Sequence, residues 1–196
     1  MKKIMLGIFL SLTTVGFADE IHLNQPIYGG NGCPQGTASA VLSPDKTSLS
    51  ILFDRYSAEA GRSAGKSLDR KTCNIAIPVH VPNGISVSLF QIDYRGFTSV
   101  PQGGSCKLNV DYFFAGQSGP SYQKTFLGPV NTDYTARNTL AVGAVAWSPC
   151  GGDLNLRTSA SLYVVTNQFN QQAMSTVDSM DTKASILYQI QWRRCN

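Results

Sequence analysis

Residues 186–194 read ILYQIQWRR, and they are followed directly by Cys195. Ile186, Tyr188, Ile190 and Trp192 alternate with Leu187, Gln189, Gln191 and Arg193, which is the two-residue period of a β-strand with one apolar face. The pattern puts Trp192 on the inward face with Ile186, Tyr188 and Ile190. A terminal strand ending in cysteine is expected to be stapled rather than left to fray.

The same period recurs upstream. Leu49, Ile51 and Phe53 alternate with Ser48, Ser50 and Leu52 in 47–53, which pairs with 37–42 across Ser43-Pro44-Asp45-Lys46 as a predicted hairpin. Ile75, Ile77, Val79 and Val81 share one face of the next strand, where Pro78 demands an edge position or a bulge. In 85–97 the apolar parity changes from Ile85, Val87 and Leu89 to Phe90, Ile92 and Tyr94, which predicts a bulge near Leu89 and Phe90. Further strands are read at 107–116, 121–130, 140–148 and 153–167. The stretch 57–72, SAEAGRSAGKSLDRKT, shows no period and is read as the longest loop. About nine strands and no 3.6-residue period predict a single-domain antiparallel β-sandwich, preferred over a closed barrel with the same alternation.

The first eighteen residues, MKKIMLGIFLSLTTVGFA, carry Lys2 and Lys3, then an apolar stretch, then the small residues Gly16 and Ala18. That is the pattern of a cleaved secretory signal peptide, too short to span a bilayer. Residues 19–32 then form a lead-in and 33–196 the β-domain, secreted or periplasmic, with no later membrane span. Loss of residues 1–18 lowers the formal charge from +4 to about +2. So weak a charge, without a basic run, excludes nucleic acid as a partner. Only 14% of residues are charged, and hydroxyl, amide and glycine residues take their place.

Five cysteines, Cys33, Cys73, Cys106, Cys150 and Cys195, lack the CxxC spacing of zinc or redox centres. In an exported chain they are read as disulfides with one thiol left over, and spacing alone does not say which. The segments 30–45 (GNGCPQGTASAVLSPD), 70–84 (RKTCNIAIPVHVPNG), DYRGF, YFFAG, GPSYQKTF, WSPCGG and QWRRC together resemble the domain of unknown function 4360 family of small secreted proteins. The resemblance runs from about Gly32 to Cys195 and implies no activity. It implies that Cys33, Cys73, Cys150 and Cys195 form the disulfide framework and that Cys106 is the odd thiol. Given those four, alternation of strand direction puts Cys33 with Cys73 at one end of the sandwich and Cys150 with Cys195 at the other.

No constellation for catalysis, cofactor or metal emerges. The mature chain holds only His22 and His80, and His80 has the solvent-facing parity of its strand. Gly61-Arg62-Ser63-Ala64-Gly65 matches a nucleophile elbow in letters, but that motif needs a strand and a helix around it. Asp54, Glu59, Asp69, Asp93, Asp111, Asp133, Asp153, Asp178 and Asp181 are available carboxylates; most are read as strand-end or turn residues, and the sequence singles out no pair. The Asp178-Ser179-Met180-Asp181 segment lacks calcium-loop spacing. The aromatics Tyr94, Phe97, Tyr112, Phe113, Phe114 and Tyr122 crowd the middle of the chain. Consecutive aromatics in DYFF must point to opposite faces, so one set is either covered by a second layer or exposed. Tyr94, Phe97, Tyr112 and Tyr122 are taken as the possible ligand platform. The expected function is non-catalytic binding of a glycan or protein at a cell surface or envelope. The alternatives are a carboxylate-dependent hydrolase and a structural or protective exported protein without a discrete ligand.

Overall fold

A computed structural model describes residues 20–140, 147–177 and 186–195. Thirteen strands lie among them: β1 (His22–Leu23), β2 (Ile27–Gly29), β3 (Ala38–Leu42), β4 (Ser48–Phe53), β5 (Ser57–Ala60), β6 (Leu68–Val81), β7 (Ile85–Val100), β8 (Ser105–Phe114), β9 (Ser121–Leu127), β10 (Val130–Thr139), β11 (Gly152–Val165), β12 (Ala173–Thr176) and β13 (Ile186–Arg194). They form two antiparallel sheets packed as a sandwich. The first sheet runs β1-β6-β11-β8-β9, with β2 also on β6; the second runs β3-β4-β13-β7-β12-β5, with β10 on the other edge of β7.

The apolar positions explain the layering. Ile75, Ile77, Val79 and Val81 of β6, Leu156, Ala160 and Leu162 of β11, and Leu108 and Val110 of β8 are buried against Leu49, Ile51, Ile92, Ile186 and Tyr188 of the second sheet. Near the centre the hydroxyl of Thr158 on β11 hydrogen-bonds the phenol of Tyr188 on β13, so a polar contact bridges the two sheets within the apolar core. The predicted bulge is present: Gln189 pairs with Gln91 and Ile190 with Leu89, which leaves Phe90 as the extra residue. This slip keeps Val87 and Leu89 inward on one side of the bulge and Ile92 and Tyr94 inward on the other. Pro78 sits where the edge partner of β6 changes from β1 to β2, and its carbonyl accepts the Asn24 N–H at 2.9 Å.

The segment read as a long loop is instead folded. Ser57–Ala60 pairs with β12, and β6 already begins at Leu68. Between them Gly61 donates its N–H to the Lys66 carbonyl at 2.7 Å in a tight reversal. The alternation there is carried by Ala58 and Ala60, whose small side chains give little apolar signal though both are fully buried. β10 also escapes the pattern, because its inward positions include Thr132, Tyr134, Ala136 and Asn138. The predicted strand at 140–148 falls largely outside the described residues.

Glycine is required at Gly96, where β7 passes under β12. A Cβ there would stand 2.0 Å from the Thr176 carbonyl oxygen and 2.7 Å from the Tyr134 hydroxyl. That hydroxyl donates to the same carbonyl at 2.7 Å.

Candidate binding face

Both expected bridges are present, but the first lies at mid-strand and not at an end of the sandwich, because Cys73 sits within β6, opposite Ala160. Cys33 is bonded to Cys73 and Cys150 to Cys195. Cys106 is a free, buried thiol, and burial pushes its pKa up against the neighbouring hydroxyls of Ser175 and Thr98. The Cys195 N–H donates to the Gly84 carbonyl at 2.8 Å, so the end of β13 is held by backbone as well as by sulfur.

The expected aromatic platform is not a platform. Tyr94 and Tyr112 are buried at 0% and 1% exposure, and burial pushes both phenols well above the ordinary tyrosine range. Tyr122 stacks on Tyr94 with ring centroids 5.0 Å apart, and Asn138 donates its amide N–H to the Tyr112 hydroxyl. Phe97 is half-buried on β7, away from the other three. These residues have inward parity on β7, β8 and β9 apart from Phe97, so the second layer covers them. Trp192 corrects the other aromatic expectation. It keeps the inward parity of β13, opposite Val87, yet it is 52% exposed because it lies at the open end of the sandwich. Its neighbour Arg193 lies over the Trp147 ring at 4.1 Å.

The candidate chemical groups are dispersed. Ser63 of the GRSAG segment sits in the β5–β6 reversal, between two strands and without a helix, and hydrogen-bonds the Gln172 side chain. His80 Nδ1 lies 2.8 Å from Asp153 Oδ1, and the His80 ring stacks on His22 with centroids 4.7 Å apart. Asp93 is buried and takes Arg137 Nε at 2.9 Å. Asp69 lies 2.9 Å from Lys66 Nζ. Burial raises the Asp69 carboxyl, but Lys66, the Glu59 N–H and Lys71 outweigh it and hold the pKa below the ordinary value. Asp178 and Asp181 lie outside the described residues. No group of three or more His, Cys, Asp or Glu side chains converges to hold a metal among the described residues. Asp111 and Asp153 do share one sheet face. Asp111 pairs with Ser159, six residues from Asp153 on β11, which separates them by ~20 Å at ~3.3 Å per residue. The carboxylate pairs of glycosidases stand roughly 5–9.5 Å apart.

What the fold does assemble is the outer face of the first sheet. Registers of β6, β11, β8 and β9 align its outward residues in rows. Asn74, Ser159, Asp111 and Ser121 form one row, and Thr72, Ser161, Asn109 and Gln123 the next. Ser159 Oγ donates to Asn74 Oδ1 at 2.7 Å and Asn109 Nδ2 to Ser161 Oγ at 3.4 Å. On one side of these rows lie Arg70, Tyr163 and Lys107; on the other lie Ala76, Arg157 and Phe113. Ile27 of β2 pairs with Ala76 at the sheet edge and is 68% exposed. Ile27, Asn74, Ala76, Phe113, Arg157 and Ser159 line a groove of about 410 Å³. Ile27 and Phe113 stand at its two sides, with Ala76 and Arg157 between them in the same row.

Phe113 is the outward aromatic of the DYFF quartet, with Tyr112 and Phe114 inward. Reading the residues in order shows that one aromatic must face outward. Strand parity alone does not name it, because the sign of the parity comes from the partner sheet.

The profile of a family described as Domain of unknown function (DUF4360) matches residues 19–195. An uncharacterized secreted protein of Arthroderma benhamiae is 33% identical over 178 residues, which cover 90% of this chain and 73% of that protein. A solved structure of TmCBM61 in complex with β-1,4-galactotriose is 10% identical and spans 87% of this chain and 88% of its own, with a TM-score of 0.26. A TM-score that low carries no inference about fold or ligand.

Proposed function

For a chain that belongs to the DUF4360 family and is an exported protein, we propose a non-catalytic role: binding an extended glycan along the outer face of the first sheet, after removal of residues 1–18. The observation that supports this reading is the pair of cross-strand rows of hydroxyl and amide side chains flanked by Phe113 and Tyr163. Hydroxyl and amide groups both donate and accept, so they match the hydroxyl pattern of a sugar ring. An aromatic face covers the C–H side of a pyranose without needing charge.

The dimensions favour a chain over a single sugar. Phe113 and Tyr163 lie on adjacent strands, three rows apart, which is ~20 Å at ~3.3 Å per residue. The face is carried on strands whose opposite side chains are core, so it is rigid before the ligand arrives. A rigid surface loses little entropy on binding.

The test is an array of polysaccharides and oligosaccharides probed with the oxidised protein and with Phe113→Ala. Binding of at least one glycan, weakened by about 2 kcal/mol in Phe113→Ala at unchanged melting temperature, is the expected result. Glycan binding unaffected by Phe113→Ala places the ligand elsewhere. Turnover of a polysaccharide, abolished by one Asp→Asn change, replaces binding with hydrolysis.

A further inference from the structure

We infer that the glycan taken by this face is acidic, carrying sugar carboxylates; the inference rests on the proposed binding face and adds the charge of its ligand. The face has two stations of the same make. At one, Phe113 is the cross-strand partner of Arg157. At the other, Tyr163 is the cross-strand partner of Arg70 on one side and Lys107 on the other. Each station therefore sets a ring for stacking beside a cation within reach of the same sugar, because directly opposed side chains on one face stand ~5 Å apart at Cβ.

These cations are unspent. Arg157, Arg70 and Lys107 make no side-chain ion pair among the described residues, whereas Lys66, Lys71 and Arg137 elsewhere on the surface are each paired with a carboxylate. The carboxylates on the same face are fewer. Asp153 is engaged with His80, which leaves Asp111, in the row of Asn74 and Ser159, as the free acid among the described residues. In the groove itself Arg157 stands between Ile27 and Phe113 with no acid in the lining. Apolar walls on two sides reduce hydration of the guanidinium, and its planar fork suits a carboxylate held by two parallel hydrogen bonds. Asn74 and Ser159 in the groove lining supply contacts to neighbouring hydroxyls.

A single-stranded nucleic acid also combines negative charge with stacking. The face argues against it, since two rows without any cation and with Asp111 separate the stations, whereas a nucleic acid carries a phosphate at every nucleotide. Sugar carboxylates can be sparse along a chain, with neutral hydroxyl-bearing units between them.

The experiment compares a linear hexamer of galacturonate with the same hexamer fully methyl-esterified, and with an oligothymidylate of similar length, by titration calorimetry at low and high salt. The acid form should bind at least about tenfold more tightly than the ester at low salt, and the preference should collapse as salt screens it. Arg157→Gln should reduce that preference by about tenfold at unchanged melting temperature. Lys107→Gln, in a separate variant, should reduce it at the second station. Phe113→Ala should weaken both forms alike. Equal binding of acid and ester overturns the acidic ligand but leaves the glycan face standing, provided Phe113→Ala weakens both. Failure of both forms to bind also overturns it, and takes the glycan face with it when no glycan on the array binds in a Phe113-dependent way. Tighter binding of the oligothymidylate than of the galacturonate overturns it in favour of nucleic acid.

Discussion

Replacing Cys150 and Cys195 together by alanine tests why a cysteine follows the terminal strand. The bond closes a sequence separation of 45 residues. On the chain-entropy account, a loop of that length lowers the entropy of the unfolded chain enough to stabilise the fold by about 4 kcal/mol at 25 °C. That is a large share of the roughly 5–15 kcal/mol that holds a domain folded. In the native state β13 loses less than the number implies, since Ile186, Leu187, Tyr188 and Gln189 still pair with β4 and the whole strand with β7. The native fold should therefore survive with a lower denaturant midpoint and a somewhat steeper slope, because the unfolded chain is less compact without the crosslink. Its distal end should loosen, because Arg193 and Arg194 lie past the last β4 pair. Urea unfolding followed by far-ultraviolet circular dichroism gives the stability, and amide exchange at Arg193 and Arg194 gives the loosening. Alanine at both positions keeps Cys106 as the one thiol, so mispairing cannot confuse the result. A loss below about 1 kcal/mol with unchanged exchange would refute the staple.

Tyr188→Phe leaves the Thr158 hydroxyl buried without its partner and should cost about 1–3 kcal/mol in chemical denaturation, whereas adding Thr158→Val should cost less than the sum of the single changes. Trp192→Ala should cost about 1 kcal/mol or less by thermal unfolding, against the roughly 3–5 kcal/mol of a core tryptophan, because half of the ring is already in solvent. Against the opposing effect of burial, Lys66, the Glu59 N–H and Lys71 hold the folded Asp69 carboxyl below its ordinary value. Its stabilisation is present above that value and fades as pH falls through the lower folded one, so Asp69→Asn should flatten stability against pH below about 4 and nowhere else. Gly96→Ala should destabilise by about 3 kcal/mol or prevent folding, read by circular dichroism, because its methyl meets the Thr176 carbonyl.

The strands that were legible are those whose inward positions carry branched or aromatic side chains. Ile75, Ile77, Val79 and Val81 announce β6, and the parity change at Leu89 and Phe90 announces a bulge that the register confirms. The strands that were not legible hide their period in small or polar residues: Ala58 and Ala60 in β5, Thr132 and Ala136 in β10, Ala173 and Ser175 in β12. All three pack in the second sheet, and at Gly96 β7 leaves no room for a Cβ against the Thr176 carbonyl of β12. Local propensity says little when burial is achieved by close approach.

An outward aromatic on the candidate face was legible in kind but not in place. Counting aromatics in the middle of the chain shows a surplus over one strand face, and that surplus exists at Phe113. Tyr94, Tyr112 and Tyr122 belong to the core instead, because the sheet carrying β7 and the sheet carrying β8 face one another across it. The rows of hydroxyl and amide side chains could not be read at all. They come from β6, β11, β8 and β9, and only the registers bring Asn74 beside Ser159 and Asp111. Trp192 misled for the opposite reason: its parity was right, and parity does not say where the covering sheet stops.

The most direct test of the binding face is a nuclear magnetic resonance titration of isotopically labelled protein with the galacturonate hexamer or, where the array selects one, a neutral glycan. The account predicts shift changes concentrated at Asn74, Ala76, Phe113, Arg157, Ser159 and Tyr163, with little change at Tyr94 and Tyr112 beneath them. Changes centred on Trp192, Arg193 and the Cys150–Cys195 end, with the first sheet undisturbed, would contradict it.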